Sequence, residues 1–85
     1  MSYAIYDSDG FVGDLASNYG LEQLDEFLSS RSSNLEKFFE QGYSESIEEL
    51  KSDLKGEASD NVAINETINN LRSLIKKCKD IVIIS

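Results

Sequence analysis

Ile81-Val82-Ile83-Ile84 is the longest apolar run of the chain, four β-branched residues with no polar side chain among them. A strand covered on both faces shows this pattern, so the run predicts the central strand of a small sheet. It follows directly on the longest helical pattern. From about Asp60 to Lys79, residues Ile64, Ile68, Leu71, Ile75 and Cys78 recur three or four apart, widened by Leu74, which predicts a long amphipathic helix leading into the strand. Its charges follow the helix dipole, with Asp60 and Glu66 early and Arg72, Lys76, Lys77 and Lys79 late.

At the other end, Tyr3 to Asp7 alternates in strand-favouring residue types, and Asp7-Ser8-Asp9-Gly10 reads as a turn with Asp9-Gly10 at its positive-φ positions. Phe11-Val12 then resumes as a short second strand that Gly13 interrupts. Between the two ends lie three shorter helical patterns. Leu21, Leu24, Phe27 and Leu28 define a helix from Gly20 to near Arg31. After a serine-rich connector, Ser33 and Glu36 form a capping-box pattern ahead of Leu35, Phe38 and Phe39, and Gly42 ends that helix. A third begins at Ser44 or Ser46, carries Ile47, Leu50 and Leu54 on one stripe, and closes at Gly56. Strands at both ends with helices between them predict a small two-layer α+β fold, one domain over residues 1–85. An N-terminal hairpin and the C-terminal strand form the sheet, with the terminal strands side by side and three to four helices packed on one or both faces.

The composition narrows the chemistry. There is no histidine and no tryptophan, and Cys78 is the one cysteine, so an intrachain disulfide and most nucleophilic or zinc constellations lack their parts. Cys78 continues an apolar stripe and is expected as a buried thiol. No basic segment or apolar run of signal-peptide length follows Met1, and a cytoplasmic setting is expected.

Ile5-Tyr6-Asp7-Ser8-Asp9-Gly10-Phe11-Val12, an apolar strand followed by D-x-D-G, resembles the first motif of the haloacid-dehalogenase-like phosphotransferases. Ile81 to Ser85 resembles their second motif, a strand closing on Ser or Thr. The resemblance implies Asp7 as nucleophile, Asp9 as general acid, Ser85 as a phosphoryl-binding hydroxyl and magnesium between the carboxylates. The later lysine and acidic pair of that family have no counterpart in these residues, and the same Asp-x-Asp-Gly is what an ordinary turn looks like. Read instead as the middle of an EF-hand loop, the segment places Ile5 and Ala16 at two obligatory ligand positions, so no calcium site is expected. No catalytic residue, metal ligand or cofactor is assigned.

Charge points elsewhere. The net charge is −8, and 11 of the 16 acidic residues stand in the first fifty positions beside only Arg31 and Lys37. Such a chain repels DNA, RNA and anionic membranes and suits a basic surface on another protein. The candidate interaction surface is Asp14, Glu22, Asp25, Glu26, Glu36, Glu40, Glu45, Glu48 and Glu49, expected as one acidic side drawn from three consecutive helices. Tyr19 and Tyr43, beside Gly20 and Gly42, are candidate exposed anchors, with packing over a helix end as their alternative. The expected function is therefore a non-catalytic protein-protein interaction module, an adaptor, assembly factor or regulator that binds a partner with a basic surface. It contacts neither nucleic acid nor membrane directly, and homodimerisation through the 81–84 strand or the long helix accompanies it. The alternative is a nucleic-acid mimic of the kind encoded by phages or mobile elements, inhibiting a host DNA- or RNA-binding enzyme. A haloacid-dehalogenase-like phosphatase fragment stands third.

Overall fold

The computed structural model describes all residues from Met1 to Ser85. Strand β1 (Ser2–Asp7) and strand β2 (Gly10–Ser17) form the N-terminal hairpin. The reversal is made by Ser8-Asp9, with the Asp7 carboxylate accepting from the Asp9 N–H at 2.9 Å and Gly10 taking the positive φ of 114° as the first residue of β2. Asp9 keeps a negative φ, so of the two residues in the dipeptide pattern Gly10 alone takes the positive φ.

Strand β2 does not stop at Gly13. Its pairing with β1 shifts twice, leaving Val12 and Leu15 as extra residues, and each bulge turns an apolar side chain toward the core. Gly13 marks a close approach rather than an end. A Cβ there would stand 2.5 Å from Leu74 Cδ2, so a larger residue would displace the Leu74 side chain that packs over this position.

Helix α1 (Asn18–Ser29) starts two residues before Gly20, because Ser17 accepts from the Gly20 N–H and caps it. Helix α2 (Ser33–Gln41) is capped by Ser32, whose hydroxyl accepts from the Leu35 N–H, so the cap falls one residue before the predicted capping box. Gly42 ends it in the left-handed region at φ 82°. Tyr43–Ser44 then forms a two-residue strand, β3, which the sequence did not announce. Helix α3 (Ile47–Leu54) and helix α4 (Val62–Lys77) follow, the latter capped by Asn61 accepting from the Ile64 N–H. The chain closes with β4 (Val82–Ile84).

The four strands form one antiparallel sheet in the order β2-β1-β4-β3. The apolar C-terminal run is therefore an interior strand beside the N-terminal one, as its composition predicts. Its cover is one-sided, however. Val82 and Ile84 face a single core to which every helix contributes, including Leu24, Leu28, Leu35, Phe38, Leu50, Leu54, Ile68, Leu71 and Ile75, whereas Ile83 takes no part in it. All four helices thus form one layer against one face of the sheet, and the other face is open. Removing a Leu, Ile or Phe side chain from water in this way stabilises the fold by about 1.5–3 kcal/mol each. Asn70 of α4 pins β2 to the layer, its amide donating to the carbonyls of Asp14 and Leu15 at 3.0 and 2.9 Å. No helix is long and apolar enough to cross a membrane.

Candidate functional site

On the helical layer, Glu22 and Glu26 stand one turn apart on α1 and Glu36 and Glu40 one turn apart on α2, all exposed. Asp25 is half-buried and accepts from the Ser29 hydroxyl at 2.6 Å. Three ion pairs exist in the molecule, Arg31–Glu57, Lys51–Glu48 and Lys79–Asp9, so Glu48 alone among the nine acidic candidates is neutralised by a neighbour. Asp14 does not belong with them. It sits in β2 opposite Ala4, on the sheet side facing away from the helices, because side chains alternate along a strand and Ile5 next to Ala4 points inward.

Glu45 and Glu49 are brought together with Tyr43 at a groove of about 330 Å³ between α2, β3 and α3. Lys37 and Gln41 form one wall, Asp53 the other, and Phe38 and Leu50 the apolar floor. The groove thus holds three carboxylates against one ammonium. One oxygen of Asp53, Oδ2, is shielded from solvent and has no hydrogen-bond partner. Such an atom costs about 1–3 kcal/mol in lost hydration, which a donor entering the groove offsets. Asp53 is not among the candidates from sequence. The usable signal is spacing: Glu49 and Asp53 stand one turn apart on α3, and Glu45 lies four residues before Glu49, just ahead of the helix. Tyr19, 70% exposed, lies elsewhere, at the first turn of α1 with its hydroxyl accepting from Gln23.

The residues of the phosphotransferase resemblance are not brought together. β1 and β4 run antiparallel, so Ser85 exchanges both backbone hydrogen bonds with Ala4 while Asp7 lies at the other end of the same pair of strands. Asp7 is buried, and its second oxygen accepts from the Lys79 N–H at 3.1 Å. Nowhere do three or more His, Cys, Asp or Glu side chains converge as a metal site.

Around Asp7, two titrations are displaced. The Ser8 hydroxyl, donating at 2.5 Å, holds the Asp80 carboxyl below its ordinary value, opposed by partial desolvation and helped by the Ser8 and Ile81 N–H groups and the Lys79 charge. Burial, and then the charges of Asp7 and Asp80, push the Cys78 thiol up. Since folding lowers the Asp80 value, its stabilisation is fully present above about pH 4 and is lost as pH falls through the folded value. Ser8→Ala is expected to move the Asp80 titration, followed by its carboxyl carbon resonance, upward toward the ordinary range. An unmoved titration would show that the hydroxyl bond is not the cause.

The open sheet face carries a pattern of its own. Phe11, Tyr6, Ile83 and Tyr43 are register partners in succession, one from each strand, and make a row across the whole sheet. Tyr6 and Phe11 meet edge to face with centroids 5.8 Å apart, and Phe11 and Tyr43 are 61% and 43% exposed. The four strands contain only two charged residues, Asp7, which is buried, and Asp14.

Comparison with protein-family models, with curated proteins and with solved structures finds no match to this chain.

Proposed function

We propose that the chain is a non-catalytic protein-binding module whose helical layer receives a basic side chain of a partner. The groove between α2, β3 and α3 supports this reading through one observation, the Asp53 oxygen that finds no donor within the chain. A lysine or arginine of the partner enters beside Tyr43 and meets Glu45, Glu49 and, once its carboxylate turns outward, Asp53. The unpaired Glu22, Glu26, Glu36 and Glu40 add a long-range field that speeds encounter and fixes orientation more than it adds affinity. A cytoplasmic partner fits a chain whose one thiol is buried and free.

An arginine-rich peptide serves as the probe. Its binding is expected to shift amide resonances of Lys37, Gln41, Tyr43 and Asp53, to weaken steeply with salt, and to fall about tenfold in Asp53→Ala, the loss of one good charge-assisted bond. Folding stability of Asp53→Ala should stay level or rise, since a shielded acceptor without a donor has been removed. Shifts spread evenly over all helices, with affinity indifferent to Asp53, would sink the reading. Mimicry of nucleic acid would instead appear as a nucleic-acid enzyme bound through the glutamate lines of α1 and α2 and released by polynucleotide. Magnesium-dependent turnover of an aryl phosphate that Asp7→Asn abolishes would replace both with catalysis.

A further inference from the structure

We infer that the open sheet face is a self-association surface on which a second copy of this chain packs, sheet against sheet, through Tyr6, Phe11, Ile83 and Tyr43. An antiparallel sheet with one side in water ordinarily alternates apolar-in with polar-out. Here the outward positions opposite the core include Ala4, Tyr6, Phe11, Ile83 and Tyr43, apolar or aromatic in every strand, with Asp14 on the edge strand β2 the one charged residue of this face and Ile81 and Ile83 lining a shallow recess beside Tyr43. Aromatic and apolar residues in a row, with the one charge kept to the edge strand, are the composition of an interface centre rather than of a solvated sheet.

Charge selects the occupant. A chain of −8 resists the approach of its own copy on most sides, and Asp14 is the one exposed charge that the strands present. Packing the open faces together sends both helical layers, with their unpaired glutamates, to the outside of the pair, the arrangement that keeps like charges farthest apart. A basic partner is drawn to the opposite layer instead; the two surfaces share Tyr43, and Phe11, which takes no part in the groove, separates the failure of one from the failure of the other. Area sets the strength. Four strands about 4.8 Å apart offer roughly 400 Å² per copy, about half of the ~800 Å² that a standard stable interface buries on each side. The dimer is therefore a weak and reversible one.

Analytical ultracentrifugation from about 0.02 to 1 mM protein at low and high salt tests this. A monomer–dimer equilibrium is expected that tightens severalfold as the salt rises, because screening relieves repulsion between the two copies. This is opposite in sign to the binding of a basic peptide. Phe11→Ser and Tyr43→Ser, both at exposed positions, are expected to weaken dimerisation at least tenfold with unchanged circular dichroism, and dilution should shift amide resonances of Tyr6, Phe11 and Ile83. A chain that stays monomeric at about 1 mM in high salt overturns the inference, leaving the face to a different partner. So does a dimer indifferent to both serine variants, or one whose dilution shifts fall on the helices.

Discussion

Arg72→Ala is expected to lower folding stability by about 3 kcal/mol, read by urea denaturation, with Arg72→Lys recovering less than half of the loss. The guanidinium stands on α4 but serves α3. Its Nε and Nη2 donate to the Leu54 carbonyl at 3.1 and 2.7 Å, Nη2 also donates to the Glu57 carbonyl, and Nη1 reaches Asn69 Oδ1 at 2.8 Å. The last carbonyls of a helix lack partners within it, and a charged fork reaching in from a neighbouring helix supplies them. No regular structure follows α3 until Val62. That stretch is held by Arg72, by the Arg31–Glu57 pair and by Ser59 donating to Asn65. Each hydrogen bond to a charged group contributes about 1.5–3 kcal/mol, and bonds sharing one side chain do not add in full, which sets the estimate near the upper value. Lysine keeps the charge but cannot span two carbonyls in one plane. Hydrogen exchange should accelerate selectively between Lys55 and Asn61. A loss under about 1 kcal/mol would show that solvent serves those carbonyls equally well.

Asp7→Ala is expected to cost about 2–3 kcal/mol and Asp7→Asn about half as much. The two carboxylate oxygens join parts of the chain that are far apart in sequence. One closes the β1–β2 turn through the Asp9 N–H, and the other receives the Lys79 N–H where α4 gives way to β4. Alanine leaves both N–H groups without an acceptor, whereas asparagine keeps one and turns an NH2 toward the other. A second readout separates this role from simple packing. The Asp7 charge is the second cause, after burial, of the raised Cys78 thiol, so Asp7→Asn should lower that thiol's pKa and speed its alkylation at mildly alkaline pH while the chain remains folded. Unchanged thiol reactivity would mean that the carboxylate and the thiol do not sense one another.

The elements that a sequence reader finds here are those whose burial repeats. Leu24 and Leu28, Leu35 and Phe38, Leu50 and Leu54, and the Ile68 to Ile75 stripe each occupy the inner side of a helix, so their spacing is the fold's own period written in the chain. Strand β3 left no such mark, since two residues cannot show a period, and its existence depends on β4 standing beside it. The course of β2 through Gly13 was hidden because glycine usually weakens a strand, and nothing local to Gly13 announces that Leu74 will occupy the space of its absent side chain. The same physics limits what could be known of the site. Ile81 to Ile84 looks alike whether one face or both are covered, so the row from Phe11 to Tyr43 emerges only once register is fixed. Exposure of Tyr43 and of most acidic candidates agrees with their polarity, but Asp14 was grouped with helices from which the bulged β2 separates it.

The position of β4 bears on how the chain folds as it is made. Residues 82–84 bridge β1 to β3, yet among these 85 residues they are nearly the last to leave the ribosome. Until they emerge, the hairpin made first has no neighbour on its inner side and Tyr43–Ser44 has nothing to pair with. Cotranslational assembly must therefore halt at an unfinished sheet, with its middle seam exposed to any passing strand, and the cooperative step waits until residues 82–84 emerge as the keystone.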